Sequence, residues 1–163
     1  MDSREIGMST QRLFNLLERL EGKMAELYRM YSDLFATDAE ASSLFFRLSM
    51  EEKSHVNIVK YERRLTKQNP RFFEKAVLDE EALSAECDRV EKLCNSRMTP
   101  SLEDALWVAL EIESGAAERH YRMSLLQSSP EAAKLLKGMA KEDNQHNEAL
   151  RAFAVKRGFL EKS

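Results

Sequence analysis

Met50-Glu51-Glu52-Lys53-Ser54-His55 has an echo about ninety residues later in Lys141-Glu142-Asp143-Asn144-Gln145-His146. In both stretches a carboxylate stands three residues before a histidine. Residues three apart share one face of a helix, so Glu52 with His55, and Asp143 with His146, can each hold one metal ion. A single such pair is ordinarily a solvated surface pair. Here the surroundings argue against that. Phe45, Leu48, Val56 and Val59 form one helical stripe around the first pair, and Leu136, Met139, Leu150 and Phe153 form another around the second. The polar residues sit inside these stripes, and an inward carboxylate without a partner costs several kcal/mol or loses its charge. A metal ion is the economical partner for both.

Working outward, the preceding helix is expected from about Glu5 to Ala36, with Leu13, Leu17, Leu20, Met24, Leu27, Tyr31 and Leu34 at bundle spacing and Glu21 at the stripe's edge. Thr37-Asp38 reads as a turn with an N-cap. The second helix is expected over 39–68, ending at Asn69-Pro70 because the residue before proline resists the helical region. Between Arg71 and Thr99 the pattern weakens. Phe72, Phe73, Val77 and Leu78 read as pins on a connection. A short helix near Glu80 to Cys94 turns Leu83, Cys87, Val90 and Cys94 inward. Thr99-Pro100-Ser101 opens a third long helix, with Pro near its first position, running to about Gln127 through Leu102, Leu106, Ala109, Glu113, Ala116, Ala117 and His120. Ser129 and Pro130 cap a fourth, which continues to Arg157 before Gly158. The expected fold is all-α: a four-helix bundle whose second and third helices are joined by a long crossover containing a short helix, in one domain over residues 1–163.

The halves align. Leu20-Glu21-Gly22-Lys23-Met24-Ala25-Glu26-Leu27-Tyr28 matches Ile112-Glu113-Ser114-Gly115-Ala116-Ala117-Glu118-Arg119-His120 at an offset close to that of the histidine motifs. Glu21 and Glu52 lie about equally far from the first turn, so in an antiparallel pair they reach one height; Glu113 and Asp143 balance about Ser128-Ser129 in the same way. Six candidate ligands result: Glu21, Glu52, His55, Glu113, Asp143 and His146. Four carboxylate charges are neutralised by two divalent ions, and mixed imidazole and carboxylate ligation suits iron or manganese better than a structural zinc.

Composition is consistent with this. Of 163 residues a third are charged, with only 5 Gly and 3 Pro, which suits long helices. No run of apolar residues is long enough to span a membrane, and Met1-Asp2-Ser3-Arg4-Glu5 lacks the hydrophobic signature of a signal segment, so the cytoplasm is expected. A net charge of −3, with Lys and Arg scattered among acids, argues against nucleic acid as a partner. Cys87 and Cys94, seven apart on a helix, lie about 10 Å from each other, too far for a mutual disulfide. They are expected reduced and partly buried.

The constellation resembles the ferritin-like di-iron carboxylate superfamily, and within it the rubrerythrin and bacterioferritin branch. The likeness rests on Glu21 followed seven residues later by Tyr28, on Glu51-Glu52-x-x-His55, and on their repeat. It implies a di-iron oxidoreductase acting on hydrogen peroxide or dioxygen, with the same six residues as its metal-binding and catalytic set. It also implies a homodimer and a separate electron-donor protein, because no rubredoxin domain is present. A ferroxidase, with Fe(II) as substrate, is the alternative, and a helical interaction module with a structural metal is the third. Two carboxylates would bridge the metals; Glu52 with Glu113, or Glu21 with Glu113, are the pairs considered. Asp143 departs from the family's Glu and reaches less far. Ala116 stands where rubrerythrins carry a further Glu, which weakens the peroxidase analogy, and Lys53 stands where bacterioferritins carry a haem methionine, so haem is not implied. Tyr28 is either a core residue or a donor to a ligating carboxylate. His120, at the place matching Tyr28, is read first as a packed residue and alternatively as a ligand or a support to one, Trp107 and the methionines are expected in the core or an interface, and Glu26, Glu51, Glu118 and Glu142 are expected beside the seam, solvated or orienting a histidine.

Overall fold

A computed structural model describes residues 3–69, 79–115 and 130–161, with side chains from Thr10 onward apart from 131–133, 135–140 and 142–144. These residues form α1 (Ser3–Leu34), α2 (Ala39–Gln68), α3 (Glu80–Cys94), α4 (Leu102–Glu113) and α5 (Pro130–Lys156), and no strand occurs among them. The all-α class expected from the periodicity is the class observed.

α1 and α2 form an antiparallel pair. Near the turn, Ser32 Oγ donates to the Ser42 carbonyl and Ser42 Oγ to the Ser32 carbonyl, both at 2.9 Å. Further along, Ser49 Oγ donates to the Ala25 carbonyl at 2.8 Å, and at the far end Gln11 Nε2 donates to the Arg63 carbonyl at 3.3 Å. Asp38 starts α2 as expected: its carboxylate accepts from the Ala41 amide at 3.1 Å and also binds Arg157.

α3 runs parallel to α1, and its two thiols set the register. Cys87 Sγ donates to the Leu16 carbonyl at 3.3 Å and Cys94 Sγ to the Lys23 carbonyl at 3.5 Å. Both cysteines are free and buried. Burial above all, with nearby carboxylates adding to it, lifts each thiol to about 11, against partial opposition from Arg19 and Lys23. Arg19 adds ion pairs to Asp88 and Glu91 on the outside. Leu83, Cys87, Val90 and Cys94 are the buried residues of α3, as the sequence pattern requires.

α5 packs antiparallel to α2 and beside α4. Lys156 meets Glu40 at one end of the α2–α5 contact, and His146 meets Glu51 further along. α5 ends as expected: Gly158 has φ +75°, and Phe159 N donates to the Ala154 carbonyl at 2.9 Å, closing the helix end. The core joins Phe14, Leu17, Leu20, Met24, Leu27, Tyr28, Phe45, Leu48 and Val59 to Leu83, Val90, Leu106, Ile112, Leu150 and Phe153.

Several expectations are corrected. The helix that begins at Leu102 ends at Glu113 rather than continuing unbroken to Gln127. Ser114 and Gly115 fold into a tight turn in which Gly115 N donates to the Ile112 carbonyl at 2.9 Å. Pro100 lies before the N-cap rather than at the first helical position; Ser101 caps α4 through a reciprocal capping box with Asp104. Leu34 is 41 % exposed because it lies in the last turn of α1. Trp107 is 42 % exposed on α4, and Met98 more so, whereas Met24 is in the core. Phe72, Phe73, Val77, Leu78, Ala116, Ala117, Glu118, His120, Ser128 and Ser129, and the side chains of Leu136, Met139, Glu142 and Asp143, lie outside the described residues.

Candidate metal centre

Five of the six sequence-derived candidates converge at mid-height of the helices. Glu21 on α1, Glu52 and His55 on α2 and His146 on α5 are at most 2 % exposed. Glu113 ends α4; its backbone is partly exposed, but its side chain is 3 % exposed. Asp143 lies on α5 three residues before His146, with its side chain outside the described set. Apolar residues on either side bury these groups: Leu17, Leu20 and Met24 flank Glu21, and Leu48 and Val59 flank the α2 pair.

The five side chains divide into two trios that share one member. In the first, His55 Nδ1 lies 3.2 Å from Glu52 Oε2 and 3.5 Å from Glu21 Oε2. In the second, His146 Nδ1 lies 3.3 Å from Glu52 Oε1 and 3.5 Å from Glu113 Oε2. Within each trio one ligand atom from each residue lies within 4.8 Å of the others. Glu52 faces the two histidines with different oxygens, which is the arrangement of a carboxylate able to bridge two cations.

Tyr28 supports the second trio from outside, its hydroxyl donating to Glu113 Oε1 at 2.7 Å. This selects the donor alternative for Tyr28, which is also fully buried. Glu51 takes up the histidine-contacting alternative: its Oε2 lies 2.6 Å from His146 Nε2, on the ring edge turned away from the cluster, while Glu51 itself is 37 % exposed. The contact lies off the N–H direction, so it is an ion-pair contact rather than an aligned hydrogen bond. Sequence spacing placed Glu51 beside the seam but could not show which histidine it meets, because that depends on how α5 lies across α2. Glu62, about two turns beyond His55 along α2, is also buried and lies outside the sequence-derived set.

The electrostatics follow from crowding acids and imidazoles out of water. Burial pushes the Glu52 carboxyl up and Glu113 adds to that, but the close polar contacts with Glu21, His146 and His55 outweigh both, so Glu52 lies below the usual carboxylate range. Burial alone would lower His55; Glu21 and Glu52 reverse this and lift it to about 11. His146 is lifted to about 10 by Glu113 and Glu52 in the same way. Protons on the imidazoles and divalent cations therefore compete for the same carboxylates.

The donor set fits a metal. Glu52 Oε1 and both ring nitrogens of His146 are buried with no aligned hydrogen-bond partner. Polar atoms so placed are costly unless something satisfies them. His146 Nδ1 lies 3.3 Å from Glu52 Oε1 and 3.5 Å from Glu113 Oε2 without a donor aimed between them. That is the geometry of lone pairs converging on a common point. Imidazole and carboxylate donors together suit iron, manganese or zinc.

No protein-family model matches the sequence, and no curated protein or solved structure shows significant similarity to the chain. Among the described residues no helix is long and apolar enough to cross a membrane.

Proposed function

We propose that this chain is a ferritin-like four-helix-bundle protein holding two iron ions, and that it works as a rubrerythrin-like oxidoreductase on hydrogen peroxide or dioxygen. The observation that carries the reading is Glu52, buried and shared by two Glu/His trios, each with an imidazole Nδ1 turned inward. A structural single-metal site needs one trio; a shared carboxylate between two suits a dinuclear centre. Manganese is the alternative metal.

In this reading Glu21, Glu52 and His55 hold one ion and Glu52, Glu113 and His146 the other. Asp143 is assigned as a sixth ligand from its place on α5 relative to His146. Iron, when bound, supplies the electrons that reduce the oxidant. The protein's own contributions are more concrete. Phe45, Leu48, Val59 and Ile112 keep bulk water from the carboxylates, which strengthens their hold on a cation. Tyr28 occupies Glu113 Oε1, leaving Oε2 toward His146. Glu51 brings a partly exposed carboxylate against the outer edge of His146.

That last contact also favours a second reading, a ferroxidase in which Fe(II) is the substrate. A carboxylate that reaches both the surface and a ligand suits delivery of cations to the centre. One experiment separates the possibilities. Metal-free protein is titrated anaerobically with Fe(II), then mixed rapidly with peroxide or with dioxygen. Two irons per chain with fast oxidation by peroxide, and turnover when a reductant is supplied, support the oxidoreductase. Oxidation by dioxygen with continuing Fe(II) uptake supports the ferroxidase. Absence of iron binding overturns both.

A further inference from the structure

We propose that Ser114 and Asn147 are positioning residues that set the Glu113 carboxylate against His146, making the Glu52–Glu113–His146 position the adjustable half of the centre. This rests on reading the cluster as a dinuclear metal site.

The two trios are mounted differently. Glu21, Glu52, His55 and His146 all lie well inside helices, held by backbone hydrogen bonds on both sides. Glu113 is the last residue of α4. Its backbone is fixed by the helix on one side only, so the turn that follows, together with the Tyr28 hydroxyl on Oε1, decides where its carboxylate can reach.

That turn is closely specified. Ser114 N donates to the Leu110 carbonyl at 3.1 Å, and Gly115 N donates to the Ile112 carbonyl at 2.9 Å. A Cβ at Gly115 would stand 2.9 Å from that same carbonyl oxygen, so a side chain there would force the backbone to move. The repeat partner of Gly115 is a central turn of α1, where the matching chain simply continues as helix. The break is a property of the second half alone.

A hydrogen-bond chain then ties the turn to α5. Asn147 Nδ2 donates to Ser114 Oγ at 3.0 Å, and Arg151 Nε donates to Asn147 Oδ1 at 2.8 Å, which fixes the amide's orientation. Ser114 follows Glu113 and Asn147 follows His146, so the bond joins the immediate neighbours of two members of one trio. Glu21, Glu52 and His55 are placed directly by α1 and α2. Ser114 and Arg151 are exposed and Asn147 partly so; removing the bond leaves the buried core intact and moves only the Glu113 mount.

The consequence is unequal metal binding. The α1–α2 position is filled first and most tightly, and the Glu113–His146 position follows with an affinity set partly by the clasp. The test is a Co(II) titration of the full-length metal-free chain, followed by visible absorption and calorimetry, for wild type, S114A, N147A and S114T, with circular dichroism as the check on folding. The expected result is two resolved steps in wild type. In S114A and N147A the weaker step alone falls, by about fivefold, the scale of one net hydrogen bond. S114T, which keeps the hydroxyl, restores wild-type binding. If wild type binds two ions but both variants leave the weaker step unchanged, or weaken both steps equally, the positioning role is overturned and the dinuclear reading stands. If wild type binds no Co(II), both fall.

Discussion

The rings of His55 and His146 stack at a centroid separation of 5.7 Å with 26° between their planes. Each turns Nδ1 toward Glu52, which meets one ring with Oε2 at 3.2 Å and the other with Oε1 at 3.3 Å. Two imidazoles on different helices thus address a single carboxylate from its two ends, and the centre's chemistry depends on that residue more than on any other.

Glu52→Gln keeps the shape and removes the charge. We expect it to weaken metal binding at both positions by at least about 100-fold, the upper end of what even supporting residues cost. Glu21→Gln, by contrast, weakens chiefly the position built on His55. Anaerobic metal titrations of the two variants check this; equal, single-site losses in both would show that Glu52 is not shared.

Proton competition gives a pH dependence with a definite sign. His55 and His146 titrate at about 11 and about 10 in the folded protein, above the ordinary 6.5. In metal-free protein their contribution to stability is therefore fully present below about pH 6.5 and is lost as pH rises through about 10 to 11. Metal binding runs the other way: each ion displaces the proton from one imidazole, so affinity rises with pH. Calorimetry in buffers of different ionisation enthalpy measures the release, which should be close to one proton per ion at pH 7.

Tyr28→Phe strands Glu113 Oε1 in a buried setting. Loss of a hydrogen bond to a buried acceptor costs about 2 kcal/mol, equivalent to a fall in melting temperature of roughly 4–8 °C for a chain of this size. Thermal unfolding of the metal-free variant tests this. An unchanged melting temperature would mean that Glu113 finds another donor.

Cys87 and Cys94 are expected to react slowly with thiol reagents at pH 8 in the folded protein and fast in urea. Burial holds both near 11, so little thiolate is present, and the thiolate is the reactive form. Rapid labelling of native protein would contradict the docking of α3 on α1.

Much of this was legible before any coordinates, for identifiable reasons. The span of α2 followed from Asp38 as cap and from Pro70 beyond its end, both local effects. The inward residues of α3 followed from helical spacing alone. Convergence of Glu21, Glu52, His55, Glu113 and His146 followed from counting residues about the turns, because helical rise is constant. What failed depended on competition between segments. Ser114 and Gly115 ended α4 where a repeat with α1 suggested continuation, because a glycine has little preference for helix and its neighbour found a partner on α5. Of the core and interface alternatives for Trp107, its exposure removes the core; size and apolarity do not say which face of a short helix meets solvent. Glu51 meets His146 only because α5 crosses α2 at that point, a relation no local pattern encodes.

The hairpin of α1 and α2, fastened at its turn by the paired Ser32–Ser42 bonds, also sets an order of assembly. Glu21, Glu52 and His55 belong to one uninterrupted N-terminal segment, and closing one short connection brings them together. The second trio must gather Glu52, Glu113 and His146 across most of the chain, at a greater loss of chain entropy. During synthesis the first trio can therefore gather before α4 and α5 have left the ribosome. Changes in the crossover would leave that early trio untouched and delay only the later one.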